Sequence, residues 1–230
     1  MIDVGRNYRN ILERMRAAAE KVRRDPREIR LLAAAKAQSV ETIRAALTAG
    51  VTLVGENYVQ EAMDKQKQIA DPVEWHMIGH LQRNKARTAL DLFDLIESLD
   101  NFALARELDK EGAKRGKTIR AFVEVNIGGE EGKSGVAKGQ VQALMEAVSE
   151  LSHLKIEGLM TVPPFRENLE EVRPYFRALR EMRDSLAGLS LPNVVLKELS
   201  MGMTHDYTVA VQEGATIVRV GTALFGARPG

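Results

Sequence analysis

The chain contains no cysteine. That excludes disulfides, thiolate nucleophiles and zinc sites built on sulfur, and it fits a reducing cytosol. It carries no excess charge of one sign. Its 33 lysines and arginines face 32 aspartates and glutamates, a balance that argues against a protein built around nucleic acid or an acidic membrane. Aromatic residues are scarce, at 5%. The basic segment Arg83-Asn84-Lys85-Ala86-Arg87 has none interleaved for base stacking, so a solvated helix face explains it better. No stretch approaches the ~18 apolar residues of a membrane span. Asp3, Arg6, Arg9 and Glu13 stand where a signal peptide would need an apolar core. A soluble, cytoplasmic protein that does not engage a membrane is expected. One local bias remains: residues 1–30 hold nine Arg or Lys against five Asp or Glu.

What is present is an ordinary globular composition, 44% hydrophobic and 28% charged over 230 residues. The chain is organised around Leu31-Leu32-Ala33-Ala34-Ala35-Lys36-Ala37-Gln38-Ser39. Five apolar residues too short for a helix run into Lys36, and Ser39 opens an amphipathic stretch, which reads as a buried strand, a short turn and a helix. The same beat recurs. Strands are expected at 31–35, 51–54, 75–78, 92–97, 119–126, 155–160, 194–199 and 216–220, with helices between them. Residues 3–24 form a separate N-terminal helix with Val4, Tyr8, Ile11, Leu12, Met15, Ala18, Ala19 and Val22 on one stripe. Eight strand–helix units without a linker predict an α/β fold, a single (β/α)₈ TIM barrel over residues 1–230 with that helix packed on it. An open doubly wound sheet is the runner-up.

In a parallel α/β protein the carboxyl ends of the strands form the ligand-binding face. A lysine there is a candidate for Schiff-base chemistry, because partial burial frees the amine as a nucleophile; a solvated loop lysine is the alternative. The ends of the last two strands, Ser200-Met201-Gly202-Met203 and Val220-Gly221-Thr222, suit a phosphate through glycine backbone, hydroxyls and a following helix. Small residues also serve tight turns. Arg219, one residue inside the eighth strand, needs a partner: Glu124 or Glu198, or a ligand near the phosphate-type loops. Asn57 puts an amide at the second strand's end, where helix capping is the alternative. His76 and His80 straddle a strand and its loop, so helical metal-ligand geometry does not apply and no metal site is expected. Lys133, in the glycine-rich stretch 128–135, reads as a mobile second amine or a solvated one.

These pieces together resemble the pyridoxal phosphate homeostasis proteins, also called the PLP-binding or proline synthetase co-transcribed family. The likeness runs from about residue 30 to 228. It rests on the Lys36 segment, Gly-Glu-Asn-Tyr-Val-Gln-Glu at 55–61, Trp-His-Met-Ile-Gly-His-Leu-Gln-Arg-Asn-Lys at 75–85 and Val-Asn-Ile-Gly at 125–128. Lys-Ser-Gly at 133–135, Gly-Leu-Met-Thr at 158–161, Ser-Met-Gly-Met at 200–203 and Arg-Val-Gly-Thr-Ala-Leu-Phe-Gly at 219–226 complete it. Thr204-His205 and Ala34-Ala35 depart from the commoner residues of the family. The resemblance implies a barrel like the N-terminal domain of alanine racemase, a fold type III PLP protein, with pyridoxal 5′-phosphate held as an internal aldimine on Lys36. It implies phosphate contacts from Ser200, Gly202, Gly221 and Thr222, Arg219 facing the pyridine nitrogen and Asn57 beside the cofactor.

The family's role implies a PLP carrier and regulator in cofactor homeostasis, with PLP-dependent apo-enzymes as transient recipients and no catalytic residue of its own. The alternative is a PLP-dependent amino-acid racemase or related enzyme. Racemisation needs an acid/base on each face of the substrate carbon, and Lys36 supplies one. In alanine racemase-like enzymes a tyrosine of an additional domain supplies the other, and the chain ends about eight residues after the last barrel strand. Tyr8, Tyr58, Tyr175 and Tyr207 are expected on helices, with Tyr58 and Tyr207 near enough to strand ends to approach the ring. A monomer is expected.

Overall fold

The computed structural model describes residues 2–226. Helix α1 (Val4–Lys21) comes first, capped by Asp3, whose side chain accepts from the Arg6 N–H at 2.8 Å. Its buried residues, Val4, Ile11, Met15, Ala18 and Ala19, recur at helical spacing. Leu12 and Val22, expected on that stripe, are exposed: Leu12 sits at its margin, and Val22 lies past the end of the helix. The helix packs on the C-terminal end of the chain. Asn7 donates to the Leu224 carbonyl at 3.0 Å and Arg24 to the Val211 carbonyl at 2.6 Å.

Strand β1 (Arg30–Ala34) follows, then α2 (Val40–Thr48) capped by Ser39, β2 (Leu53–Glu56), α3 (Val59–Gln66) and β3 (Glu74–Met77). The short helix α4 (Ala86–Ala89) leads to β4 (Leu95–Leu99), α5 (Phe102–Arg115) and β5 (Ile119–Asn126). A two-residue strand β6 (Val136–Ala137) precedes α6 (Val141–Ser149), β7 (Leu154–Met160) and α7 (Arg173–Ala187). The chain ends with β8 (Val194–Met203), α8 (Tyr207–Gln212), β9 (Ile217–Val220) and α9 (Thr222–Phe225). Gly116 ends α5 with φ +60°, a left-handed cap that glycine takes without steric cost.

All pairings are parallel, and β4 pairs with β5 and β1 with β9, which closes the ring β1-β2-β3-β4-β5-β7-β8-β9. The expected eight-stranded barrel is therefore formed. The ninth strand, β6, is an addition that pairs with the end of β5. One boundary differs in a way that matters. β8 runs four residues beyond its expected end and takes in Ser200-Met201-Gly202-Met203, because Ser200 pairs with Ile217 and Met203 with Arg219 across a register shift. Ser200 and Gly202 suggest a turn, and the pairing with β9 carries the segment on as strand.

Period-2 alternation sorts the side chains. Leu31 and Ala33 face the helices, whereas Leu32, Leu53, Leu95, Phe122, Met160 and Ile217 fill the barrel interior with Ala34 and Ile78. Both faces are buried, so the strands read as nearly continuous apolar runs. Gly158 sits opposite Glu198 on β8, at an irregularity in the β7/β8 ladder, where a Cβ would lie 2.5 Å from the Glu198 carbonyl oxygen. Gly158→Ala should lower the urea unfolding free energy by about 1–3 kcal/mol. Gly139→Ala, whose methyl group would meet nothing within 4 Å, should change it by under about 0.5 kcal/mol. Equal losses in the two variants would contradict this account of the ladder.

Candidate functional site

Lys36 lies two residues past the end of β1, in a turn closed by the Gln38 N–H donating to the Ala35 carbonyl at 3.0 Å. Its side chain is half-buried and enters a cavity of about 340 Å³ at the C-terminal rim of the barrel. Asn57, Arg219, Gly221 and Thr222 line the same cavity, with Gln38, Ile78, Val162, Met203, Thr204 and His205 completing the wall. Five of the seven residues singled out from the sequence thus face one space. They come from the ends of β1, β2 and β9, adjacent strands in the ring.

Ser200 and Gly202 stand behind that rim. Ser200 is fully buried, and its hydroxyl donates to Glu97 Oε2 at 2.5 Å while accepting from Arg219 Nη1 at 2.6 Å. Gly202 has φ +93°, and a Cβ there would lie 2.5 Å from Ala210 Cβ, so its open side is filled by α8. Neither residue lines the cavity. The main chain leaving β9 enters α9 at Gly221, and the first-turn N–H groups of a helix have no partner within it. The Thr204 hydroxyl holds this segment by accepting from the Ala223 N–H at 3.2 Å.

Arg219 is 4% exposed. Besides Ser200 it donates to the Thr161 carbonyl at 2.7 Å, and Glu97 Oε2 lies 3.9 Å from its Nη1. The expected partners, Glu124 and Glu198, are not its direct contacts: Glu198 accepts from the Thr216 hydroxyl at 2.5 Å. Burial pulls the guanidinium pKa down, and Glu97, Glu124 and Asp206 act against that. Below it the polar groups continue. His76 sets Nδ1 2.7 Å from Glu97 Oε1 and Nε2 3.0 Å from Glu74 Oε1. Burial opposes an imidazolium there, but hydrogen bonds to the two carboxylates outweigh it and the pKa moves up. Glu74 also accepts from Arg30 and, at 3.3 Å, from Arg120 at the opposite end of the barrel. Its own pKa is driven down, first by the hydrogen bond from His76.

Asn57 is no helix cap, since the residue preceding α3 in the cap position is Tyr58. Gly79 packs on the Asn57 main chain, where a Cβ would collide with the Asn57 carbonyl. Tyr58 is in extended backbone rather than on a helix, and Lys36 Nζ lies over its ring at 5.4 Å. Tyr207 is buried under α1 with Arg14 over its ring; the Tyr8 hydroxyl donates to the Gly50 carbonyl. The stretch 128–135 is tied to β5, because Asn126 accepts from the Glu130 N–H and donates to its carbonyl. Lys133 pairs with Glu130 and does not line the cavity. At the mouth, His205 packs on Phe165 with ring centroids 5.1 Å apart and meets the Arg166 carbonyl at 3.1 Å.

Sequence reasoning missed Glu97 and the interior position of His76. Both lie at alternate positions of strands and so face inward, but Glu97 meets His76 from 21 residues away and Ser200 from 103. The pattern predicts the facing and leaves the pairing open.

Residues 7–229 match the family model for the alanine racemase N-terminal domain. The pyridoxal phosphate homeostasis protein of Aquifex aeolicus (strain VF5) is 47% identical over 219 residues, covering 95% of this chain and 95% of that protein. Among solved structures, a chain described as an unknown protein from Bifidobacterium adolescentis superposes with a TM-score of 0.91 at 35% identity, over 97% of this chain and 94% of the other. PipY of Synechococcus elongatus PCC7942, solved with PLP bound, gives 0.83 at 36% identity, over 94% of this chain and 100% of that one.

The environment of Arg219 leaves one carboxyl poorly compensated. Burial raises the Glu124 pKa to about 7, Arg219 draws it down, and Asp100 and Glu97 add to the rise. The folded state therefore keeps its proton where the unfolded chain has lost it. Stability contributed this way is intact below about pH 4.5 and falls as pH rises to about 7. Glu124→Gln removes the effect. In urea unfolding of the protein without ligand, the variant should gain up to about 3 kcal/mol over the parent between pH 4.5 and 8. A gap that stays constant with pH would contradict the assignment.

Proposed function

The chain belongs to the pyridoxal phosphate homeostasis proteins, built on the alanine racemase N-terminal-domain barrel, and from that premise we propose that it binds pyridoxal 5′-phosphate and acts in PLP homeostasis. In this reading it is a carrier and regulator without a robust reaction of its own. The observation that carries the reading is the convergence of an amine, an amide, a guanidinium and a glycine–hydroxyl rim on one cavity.

The residues fit such a ligand. A volume of about 340 Å³ falls at the lower end of the ~300–1,000 Å³ common for small-molecule sites. Lys36 offers the primary amine. Gly221 and Thr222 offer main-chain N–H groups and a hydroxyl for a phosphate, and Gly221 leaves room for close approach. The Ser200 hydroxyl is committed to Glu97 and Arg219, so any contribution from Ser200 or Gly202 comes through the main chain or through Arg219. When bound, the cofactor supplies an aldehyde that condenses with a primary amine and releases water.

Arg219 favours holding the ligand over reacting it. A guanidinium has donors and no acceptor, so it can hydrogen-bond an unprotonated pyridine nitrogen and disfavours protonating it. The ring is then a poor electron sink for carbanion chemistry, which supports retention of the cofactor over turnover. Tyr58, the tyrosine beside Lys36, is about half exposed and presents its ring to the amine. We also read the protein as monomeric and cytoplasmic, passing PLP to apo-enzymes that need it.

The purified protein should be yellow when loaded with PLP, and Lys36→Ala should abolish the visible band. Borohydride reduction with subsequent peptide mapping should place the pyridoxyl group on the peptide containing Lys36. A label found elsewhere and never on Lys36 would overturn the assignment.

A further inference from the structure

Lys36 sits between two exceptions. The residue after it, Ala37, has φ +59°, a left-handed conformation that is strained for a residue other than glycine. The turn Ala35–Gln38 requires it, since its third residue has positive φ and carries a side chain. The residue before it, Ala35, has a carbonyl that accepts twice, from the Gln38 N–H at 3.0 Å and from Lys65 Nζ at 2.9 Å.

Lys65 comes from α3, 30 residues on, and is 8% exposed. Its ammonium also meets Glu56 Oε1 at 2.5 Å and Glu61 Oε2 at 3.3 Å. Glu61 Oε2 in turn accepts the Ala37 N–H at 3.1 Å. A single ion cluster therefore grips the main chain on both sides of Lys36. The carbonyl of the preceding residue is held by the ammonium, and the N–H of the next residue by a carboxylate. Only Lys36 itself lies between the two grips.

The cluster is costly. Glu56 is fully buried, its second oxygen has no partner among the described residues, and burial raises its pKa against the pull of Lys65. Apolar residues of similar size would be no less stable at such a place, which makes a buried ion pair weak evidence for stability and better evidence for a fixed arrangement. What it fixes is the strained turn, and the side chain that turn aims into the cavity is Lys36.

We propose that Lys65, braced by Glu56 and Glu61, is a positioning clamp that holds the Lys36 turn so that its amine is presented to an aldehyde ligand. This rests on the reading of Lys36 as the PLP-bearing lysine. It also gives Gly-Glu-Asn-Tyr-Val-Gln-Glu at 55–61 a second task, since both braces fall within it while Asn57 lines the cavity.

The clamp acts on capture at the amine and leaves the rest of the cavity alone, so two ligands separate it from a general structural role. PLP carries the aldehyde; pyridoxine 5′-phosphate has an alcohol in its place and can bind only non-covalently. Glu61→Ala leaves the buried pair intact and frees the Ala37 N–H. It should slow PLP capture, monitored by the visible band in stopped flow, about three- to tenfold. Lys65→Met should slow it roughly ten- to hundredfold, and Lys65→Arg should recover part of the loss. Affinity for pyridoxine 5′-phosphate, measured by calorimetry, should be unchanged in all three. If Lys65→Met proves insoluble, Glu61→Ala decides the matter. Equal weakening of both ligands, or unchanged PLP capture in Glu61→Ala, would overturn the clamp. Failure of the parent protein to capture PLP at Lys36 would instead overturn the underlying reading, so the two failures are distinguishable.

Discussion

A guanidinium buried at the centre of a barrel must be neutralised and hydrogen-bonded, and Arg219 imposes that demand on this fold. The Ser200 hydroxyl and the Thr161 carbonyl accept its hydrogen bonds, and Glu97 lies behind Ser200. His76 then joins Glu97 to Glu74, and Glu74 reaches Arg30 and Arg120 where the strands begin. One requirement near the upper rim thus organises polar groups over the height of a core otherwise filled by Leu32, Leu53, Leu95, Phe122, Met160 and Ile217. Removing a single member would leave its neighbours buried and unpaired, which costs more than the bond itself. The column is a rigid wall, and Arg219 is its face toward the cavity.

The neighbouring strand β1 contributes to the cavity differently. Lys36 stands on a strained turn at the edge of the barrel, held from outside by groups on α3, and the residue is half-buried. A fixed cation and a presented amine, brought to one cavity by neighbouring strands, form a site that suits holding a small aldehyde. The rim residues Gly221 and Thr222 follow directly on the strand that carries Arg219, so ring and phosphate contacts of a ligand would be set by one register of β9 against β1. In this account the fold contributes fixed spacing, and the chemistry resides in the amine.

The barrel was legible because each strand is a short apolar run ending in a turn signal, and eight of them at regular spacing admit few topologies. The gathering of Lys36, Asn57, Arg219, Gly221 and Thr222 was legible for the same reason: strand ends share one rim. The character of residues 200–203 was not, since Ser200 and Gly202 signal a turn and only pairing with β9 makes the segment strand. Nor could the sequence assign Arg219 its partners. Glu124 and Glu198 were the partners the sequence suggested, and Glu97 emerges only from the relative heights of β4 and β8 in the barrel. Tyr58 and Lys65 share a helical stretch by pattern, yet one faces Lys36 and the other reaches beneath it, a difference set by how α3 docks.

The central claim is that Lys36 holds an aldehyde cofactor without driving a reaction on a substrate. Exchange of amino-acid α-protons into deuterated water, monitored by proton NMR with the PLP-loaded protein, tests it most directly. The account predicts exchange no faster than free PLP supports at the same concentration, and no stereochemical preference. Fast exchange confined to one enantiomer, or conversion of one enantiomer into the other, would contradict it.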